Sequence, residues 1–229
     1  MELREALRTT PATRTFTDAP VDDATIAGIL DDARFAPSGG NRQAWRVVVL
    51  KDPTIRRAVR DLYLAGWYEY LGQVQAGMTP FGIYNDREQE AVARSQSEQI
   101  AKDAAAGPGG FAEHLDEVPA LLLVLADLSA LATVDRDLDR YSFAGGASLY
   151  PFVWNILLAA RDRGLGGVIT TMNVRNEPAL LELLGAPERT GIVALVALGE
   201  PSQKITKLKR SQIHEFTTID SFDGPTLSL

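Results

Sequence analysis

The sequence contains no cysteine in its 229 residues. Disulfides, thiolate nucleophiles and cysteine-ligated metal or iron–sulfur centres are therefore excluded. Its two histidines, His114 and His214, stand far apart with no ligand spacing around either, so both read as ordinary histidines and no metal site is expected. No run reaches the ~18 uninterrupted apolar residues of a membrane span. The opening "MELREALRTTP" is acidic and lacks an apolar segment, so it does not read as a signal peptide and the expected location is cytoplasmic. Positive charge is also in deficit: 23 Lys and Arg against 30 Asp and Glu leave a formal charge of −7. Nucleic acid and anionic membranes demand a basic surface, so neither is an expected partner.

Several catalytic signatures are missing as well. There is no G-x-x-x-x-G-K-[ST] phosphate loop. Ser38 follows a helical segment and lacks the G-x-S-x-G frame of a nucleophile elbow. "GLGG" at 164–167 lies in the order helix, glycines, strand, whereas a dinucleotide-binding turn needs strand, glycines, helix. It reads as a helix C-cap.

What remains is an ordinary globular composition, 45% apolar, in a chain long enough to bury a core without staples. Helical spacing appears over residues 2–9 and again after Asp22, a plausible N-cap, with Ile26, Ile29, Leu30 and Ala33 on one face. "WRVVVL" (45–50) reads as a fully buried strand, and "DPTIRRAVRDLY" as a capped helix with Pro53 in its first turn. The span from Leu64 to Asp116 has no strand signal and reads as a helical excursion ending at "GPGG". Buried strands are expected at 119–127, 166–171 and 191–201. A long, almost uncharged helix is expected at 144–164, kinked or restarted at Pro151, and a shorter one at 177–185, stopped by Gly185. Helices and buried strands alternate, which implies an α/β or α+β layered fold with the sheet covered on both faces.

Four features bear on chemistry. "PSGGN" (37–41) offers unshielded backbone N–H groups, a hydroxyl and an amide. It suits either a planar, heteroatom-rich ligand or a polar connection that satisfies its own backbone. Arg14 sits in "ATRTF", and Lys204, Lys207, Lys209 and Arg210 cluster in "KITKLKR". Each is a surface cation unless the two regions converge on a phosphate. Thr170 and Thr171 end a strand, where ligands of layered α/β proteins commonly lie. Trp67, Tyr68, Tyr70, Phe81 and Tyr84 make the excursion aromatic, as a lid or as packing.

Taken together, four segments resemble the FMN-dependent nitroreductase family. "TPATRTFTDAPV" (10–21) is similar to R-R-S-x-R-x-F, with Arg14 and Phe16 in register. "ARFAPSGGNRQAWRVVVL" resembles A-x-x-A-P-S-x-x-N-x-Q-P-W and its following strand. "ASLYPFVWNILLAARDRGLGGVITT" resembles the long central helix, N-L-L-L-A-A-x-x-x-G-L-G, and the next strand. "KRSQIHEFTTIDSF" is similar to the closing arm R-R-x-P-V-x-E-V-x-x-x-D-x-W. The matches run from residue 10 to 222 and leave 64–116 unmatched in detail.

The resemblance implies a single α+β domain over residues 1–229 with a central mixed sheet flanked by helices. Residues 64–116 would form a lid and 202–229 a C-terminal arm, within an intertwined homodimer that holds FMN at its interface. It places Pro37, Ser38, Gly39, Asn41 and Gln43 beside the flavin of the partner. Arg14 would lie near the phosphate and ribityl chain, Arg210 on the phosphate, and Thr170 and Thr171 by the ring, with Thr13 also among the cofactor-binding residues. The implied activity is a ping-pong oxidoreductase using NADH or NADPH to reduce a small organic acceptor such as a nitroaromatic or quinone. Reductive dehalogenation, flavin fragmentation, metabolite dehydrogenation and flavin binding without turnover are the alternatives. No acid–base side chain is required, so no catalytic residue is assigned. The chain departs from the pattern at Thr10, Pro11 and Ala12, which replace R-R-S, and at Ala44, Gln212 and Phe222. One phosphate cation is thereby missing, which shifts weight onto Arg210 and its lysine neighbours.

Overall fold

The computed structural model describes residues 1–203 and 207–227. Four strands build one sheet: β1 (Trp45–Leu50), β2 (Ala120–Asp127), β3 (Gly166–Thr170) and β4 (Thr190–Gly199), in the spatial order β1-β2-β4-β3. All three strand pairs are antiparallel. The parallel component of the expected mixed sheet is confined to a bridge between Ala12 and Gly167 on the outer edge of β3.

The two central strands explain the layering. Successive residues of a strand face opposite ways. In β2, Leu122 and Val124 join Val196 and Leu198 of β4 against Ile26 and Ile29 of α2 (Asp23–Ala33) and Phe152 and Ile156 of α6 (Tyr150–Asp162). On the other face, Leu121, Leu123 and Leu195 pack on Val59 and Tyr63 of α3 (Pro53–Gln75) and Leu180 of α7 (Glu177–Leu183). Both faces are covered, so both strands read as continuous apolar runs. β1 differs from the sequence reading. It is an edge strand with Arg46 exposed and only its two ends buried, because among the described residues no strand lies beyond it.

Local signals set the helix ends. Asp22 caps α2 by accepting from the Thr25 N–H at 2.7 Å. Asp52 does the same for α3, through Thr54 and Ile55, with Pro53 in the first turn. Pro151 marks a restart: a 3-10 turn over Ala144–Ser148 precedes α6. Gly164 and Gly185 close helices with φ of +80° and +59°.

The sequence reading began the excursion at Leu64, yet α3 runs unbroken past that point to Gln75. Its glycines, Gly66 and Gly72, serve close packing. A Cβ on Gly66 would lie 2.9 Å from the Met172 carbonyl oxygen, and one on Gly72 only 2.4 Å from that of Ala93. α4 (Arg87–Ser95) and α5 (Ser97–Ala105) then pack back on α3. The carboxylate of Glu69, buried on α3, takes Arg94 Nε at 2.8 Å and the Arg175 guanidinium at 3.0 Å, tying α3 to α4 and to the turn after β3.

One buried carboxylate organises the loop between β2 and α6. Asp135 accepts from Arg140 Nη1 (2.8 Å), Ser142 Oγ (2.8 Å) and the N–H groups of Phe143 (2.9 Å) and Ala144 (3.1 Å). These donors, the Phe143 N–H foremost, hold its pKa well below the usual aspartate range. A depressed pKa stabilises the fold above the unfolded-state value and loses that effect as pH falls through the native one. Asp135→Asn is therefore expected to melt lower than the parent at pH 7. The gap should narrow as pH drops below about 4, in thermal melts followed by circular dichroism. A gap that stays constant down to strong acid would contradict this role.

Candidate active site

Residues 12–17 run along the far edge of the sheet. The Thr13 N–H donates to the Gly167 carbonyl at 2.9 Å, and Phe16 bridges to Pro201. This approach needs glycine at the strand start, since a Cβ on Gly166 would come within 2.6 Å of Thr13 Oγ1. Thr13 is buried and Arg14, the next residue, is exposed. Arg14 borders a cleft of about 340 Å³ shared with Thr170, Thr171, Tyr63, Trp67 and Glu113. No hydrogen-bond or ion-pair partner for the Arg14 side chain occurs among the described residues.

The floor of the cleft is fixed from below. Thr170 Oγ1 donates to Tyr63 Oη at 3.2 Å. Burial raises the Tyr63 phenol pKa, against smaller opposing effects of the Thr170 hydrogen bond and the Arg14 charge, so it stays protonated across the working range. Tyr63, Trp67 and Tyr70 lie four and three residues apart on α3, hence on one helical face. The Trp67 and Tyr70 rings stack at 5.1 Å with 11° between planes. Of the other excursion aromatics, Phe81 lies under the Arg175 guanidinium and Tyr84 is 96% exposed.

The polar loop stands elsewhere. Gly40, Asn41 and Gln43 all have positive φ, at +61°, +52° and +48°. Two non-glycine residues in that region within three positions represent stored backbone strain, which concentrates at functional sites. Side chains hold the conformation. Ser38 Oγ accepts from the Gln43 N–H (3.0 Å), Gln43 Nε2 donates to Asn41 Oδ1 (3.0 Å), and the Gly39 N–H donates to Ser148 Oγ (2.9 Å). Buried Ala36 and Ala44 flank the loop, and Trp45 stacks on Phe152 at 4.7 Å.

Strand order decides what one chain can assemble. The loop precedes β1, and Thr170 ends β3. The strand directions put both at the same end of the sheet, but on opposite edges. Three strand spacings separate them, about 14 Å. One chain thus brings Arg14, Thr170 and Thr171 to the cleft, while Thr13 is buried beside β3 and does not line it. Pro37, Ser38, Gly39, Asn41 and Gln43 do not line that cleft, and neither does Arg210, whose Nη1 donates to the Lys209 carbonyl at 2.8 Å. Lys204 lies outside the described residues. Tyr63 and Glu113 were not singled out from sequence. The spacing of Tyr63, Trp67 and Tyr70 carried a signal for the first, and nothing did for Glu113. His114 binds Glu117 and the Pro108 carbonyl. Among the described residues no group of His, Asp or Glu gathers to hold a metal, and no helix is long and apolar enough to cross a membrane.

The nitroreductase family model matches residues 7–200, and the chain belongs to that family. An NADH dehydrogenase of Thermus thermophilus is 30% identical over 193 residues, covering 83% of this chain and 82% of that protein. Iodotyrosine deiodinase 1 of Rattus norvegicus is 24% identical over 216 residues, 93% of this chain and 68% of that one. Among solved structures, oxidized iodotyrosine deiodinase bound to FMN and 3-iodo-L-tyrosine superposes with a TM-score of 0.65 at 20% identity, over 96% of this chain and all of that chain. The α+β architecture of helices around one sheet is therefore that of the family.

Proposed function

We propose that this protein is an FMN-dependent oxidoreductase that uses NADH or NADPH to reduce a small organic acceptor, as a homodimer. The observation that carries this reading is the cleft where Arg14, Thr170 and Thr171 meet an aromatic wall on a nitroreductase fold. Its donors suit the group. An exposed guanidinium with no partner among the described residues matches a phosphate or ribityl chain, and two strand-end hydroxyls with flat aromatic neighbours match a polar ring. Thr13 fixes the segment that presents Arg14. Bound FMN would supply the electron transfer, and the protein supplies position and electrostatics. The strained loop Pro37–Gln43 would reach the flavin of the second copy, which fits its place on the opposite sheet edge. Arg210, on the arm beyond residue 202, would add its charge to the phosphate. The arm carries Phe216 and Phe222, 67% and 94% exposed in the single chain, apolar surface that a partner would cover.

Reductant and acceptor would use the cleft in turn, a ping-pong cycle. The purified protein is expected to be yellow and dimeric, to bleach anaerobically with NADH or NADPH, and to give parallel double-reciprocal lines with nitroaromatics or quinones. A colourless protein that takes up no FMN would overturn the reading. The deiodinase relatives favour a second reading, reductive dehalogenation of a haloaromatic. Iodide release from an iodophenol, with no turnover of nitroaromatics or quinones, would select it.

A further inference from the structure

Arg14 and Glu113 are the two charged side chains that line the cleft. If Arg14 is committed to the flavin, as proposed above, Glu113 is the one charge left to meet an acceptor. Its position is built rather than incidental. The Gly110 N–H donates to Glu113 Oε2 at 2.7 Å and aims the carboxylate of this half-buried residue. The turn that makes this possible has Gly109 at φ +68°, where a Cβ would fall 2.8 Å from the Glu113 Cβ.

Nearby cations are committed to other acceptors. Arg60 binds Asp61 and Asp116, Arg56 donates to the Asp116 carbonyl, and His114 takes Glu117. No ion-pair partner of Glu113 occurs among the described residues. The neighbouring Tyr68 hydroxyl is pushed to higher pKa, chiefly by burial, then by the Glu113 charge and by its hydrogen bond to Glu113, which leaves the carboxylate charged. Phe111 and the stacked Trp67 and Tyr70 line the same cleft as Glu113. An aromatic wall beside an unneutralised carboxylate favours a flat ring bearing a cation, since ring faces and carboxylate attract the same charge. The net charge of −7 draws cations and repels anions at long range.

We propose that Glu113 is a specificity-determining residue that selects acceptors carrying a protonated amine beside an aromatic ring. The inference rests on the oxidoreductase reading for turnover, but the binding it asserts stands apart from it. With a nitroaromatic probe the balanced step is R–NO₂ + NAD(P)H + H⁺ → R–NO + NAD(P)⁺ + H₂O. Glu113 takes no part in that exchange and acts on the ammonium alone.

The test compares 4-nitrobenzylamine, 4-nitrobenzyl alcohol and 4-nitrobenzoate as acceptors of the FMN-loaded protein. The expected order of kcat/KM is amine above alcohol above carboxylate. In Glu113→Gln, whose amide oxygen can still accept from Gly110, the amine-to-alcohol ratio is expected to fall about tenfold, mainly through KM. A second readout needs no turnover: benzylamine affinity, followed by tryptophan fluorescence, should weaken with added salt in the parent and lose most of that dependence in the variant. Equal kcat/KM for amine and alcohol in the parent, or salt-independent benzylamine binding, would overturn the assignment. If the chain takes up no flavin, the functional reading fails, and benzylamine titration of the purified protein still decides the role of Glu113.

Discussion

Arg14→Ala is expected to weaken FMN binding by roughly 10- to 150-fold, the equivalent of one charged hydrogen-bonding group worth about 1.5–3 kcal/mol. The effect should be large because the chain has Thr10, Pro11 and Ala12 where the family pattern begins with paired arginines. In the proposed site fewer cations would then share the phosphate, so each would matter more. Stability should hardly change. The Arg14 side chain is exposed and its segment is held through the Thr13 N–H and the Phe16 bridge. Arg14→Lys should recover part of the affinity, since lysine keeps the charge but not the planar fork. Flavin titration of the apoprotein, with thermal melts alongside, separates binding from folding. Unchanged affinity in Arg14→Ala would remove Arg14 from the site.

Glu69→Ala should produce the largest loss of stability outside the hydrophobic core. The carboxylate is 8% exposed and serves two guanidiniums. Losing a partner from a buried ion pair costs about 3–5 kcal/mol. Arg94 and Arg175 are 55% and 42% exposed and can turn to water, so about 2–3 kcal/mol is expected here. In a chain of this size that lowers Tm by roughly 5–10 °C. Because Glu69 lies between Trp67 and Tyr70 on α3, loosening it should also raise KM for the acceptor. Calorimetry reads the first effect, and steady-state kinetics with the acceptor read the second. A melt within one degree of the parent would show that water replaces the carboxylate at no cost.

Much of the fold was legible because its signals are local. Asp22 and Asp52 cap helices, Gly164 and Gly185 end them, and apolar runs mark β2 and β4. Two expectations failed for reasons that lie outside any short window. "WRVVVL" has the composition of a buried strand, but its burial depends on how many strands lie beyond it. The helix read over "DPTIRRAVRDLY" runs on to Gln75, because Gly66 and Gly72 admit backbone from Met172 and Ala93. Helix packing from a distant segment overrode their weak helix propensity.

By itself, the sequence determined the succession of helices and strands, the exclusion of thiol and P-loop chemistry, and the four segments that carry the family pattern. Capping, periodicity and motif spacing are properties of neighbouring residues, so one dimension suffices for them. Only the tertiary structure decided which residues share a site. Because β3 lies beyond β4 at the sheet edge, the segment carrying Arg14 meets Thr170 while Pro37–Gln43 is left on the opposite edge. The same folding sets Glu113 against the aromatic face of α3. Strand order is a matter of long-range pairing, and no local pattern in the chain encodes it.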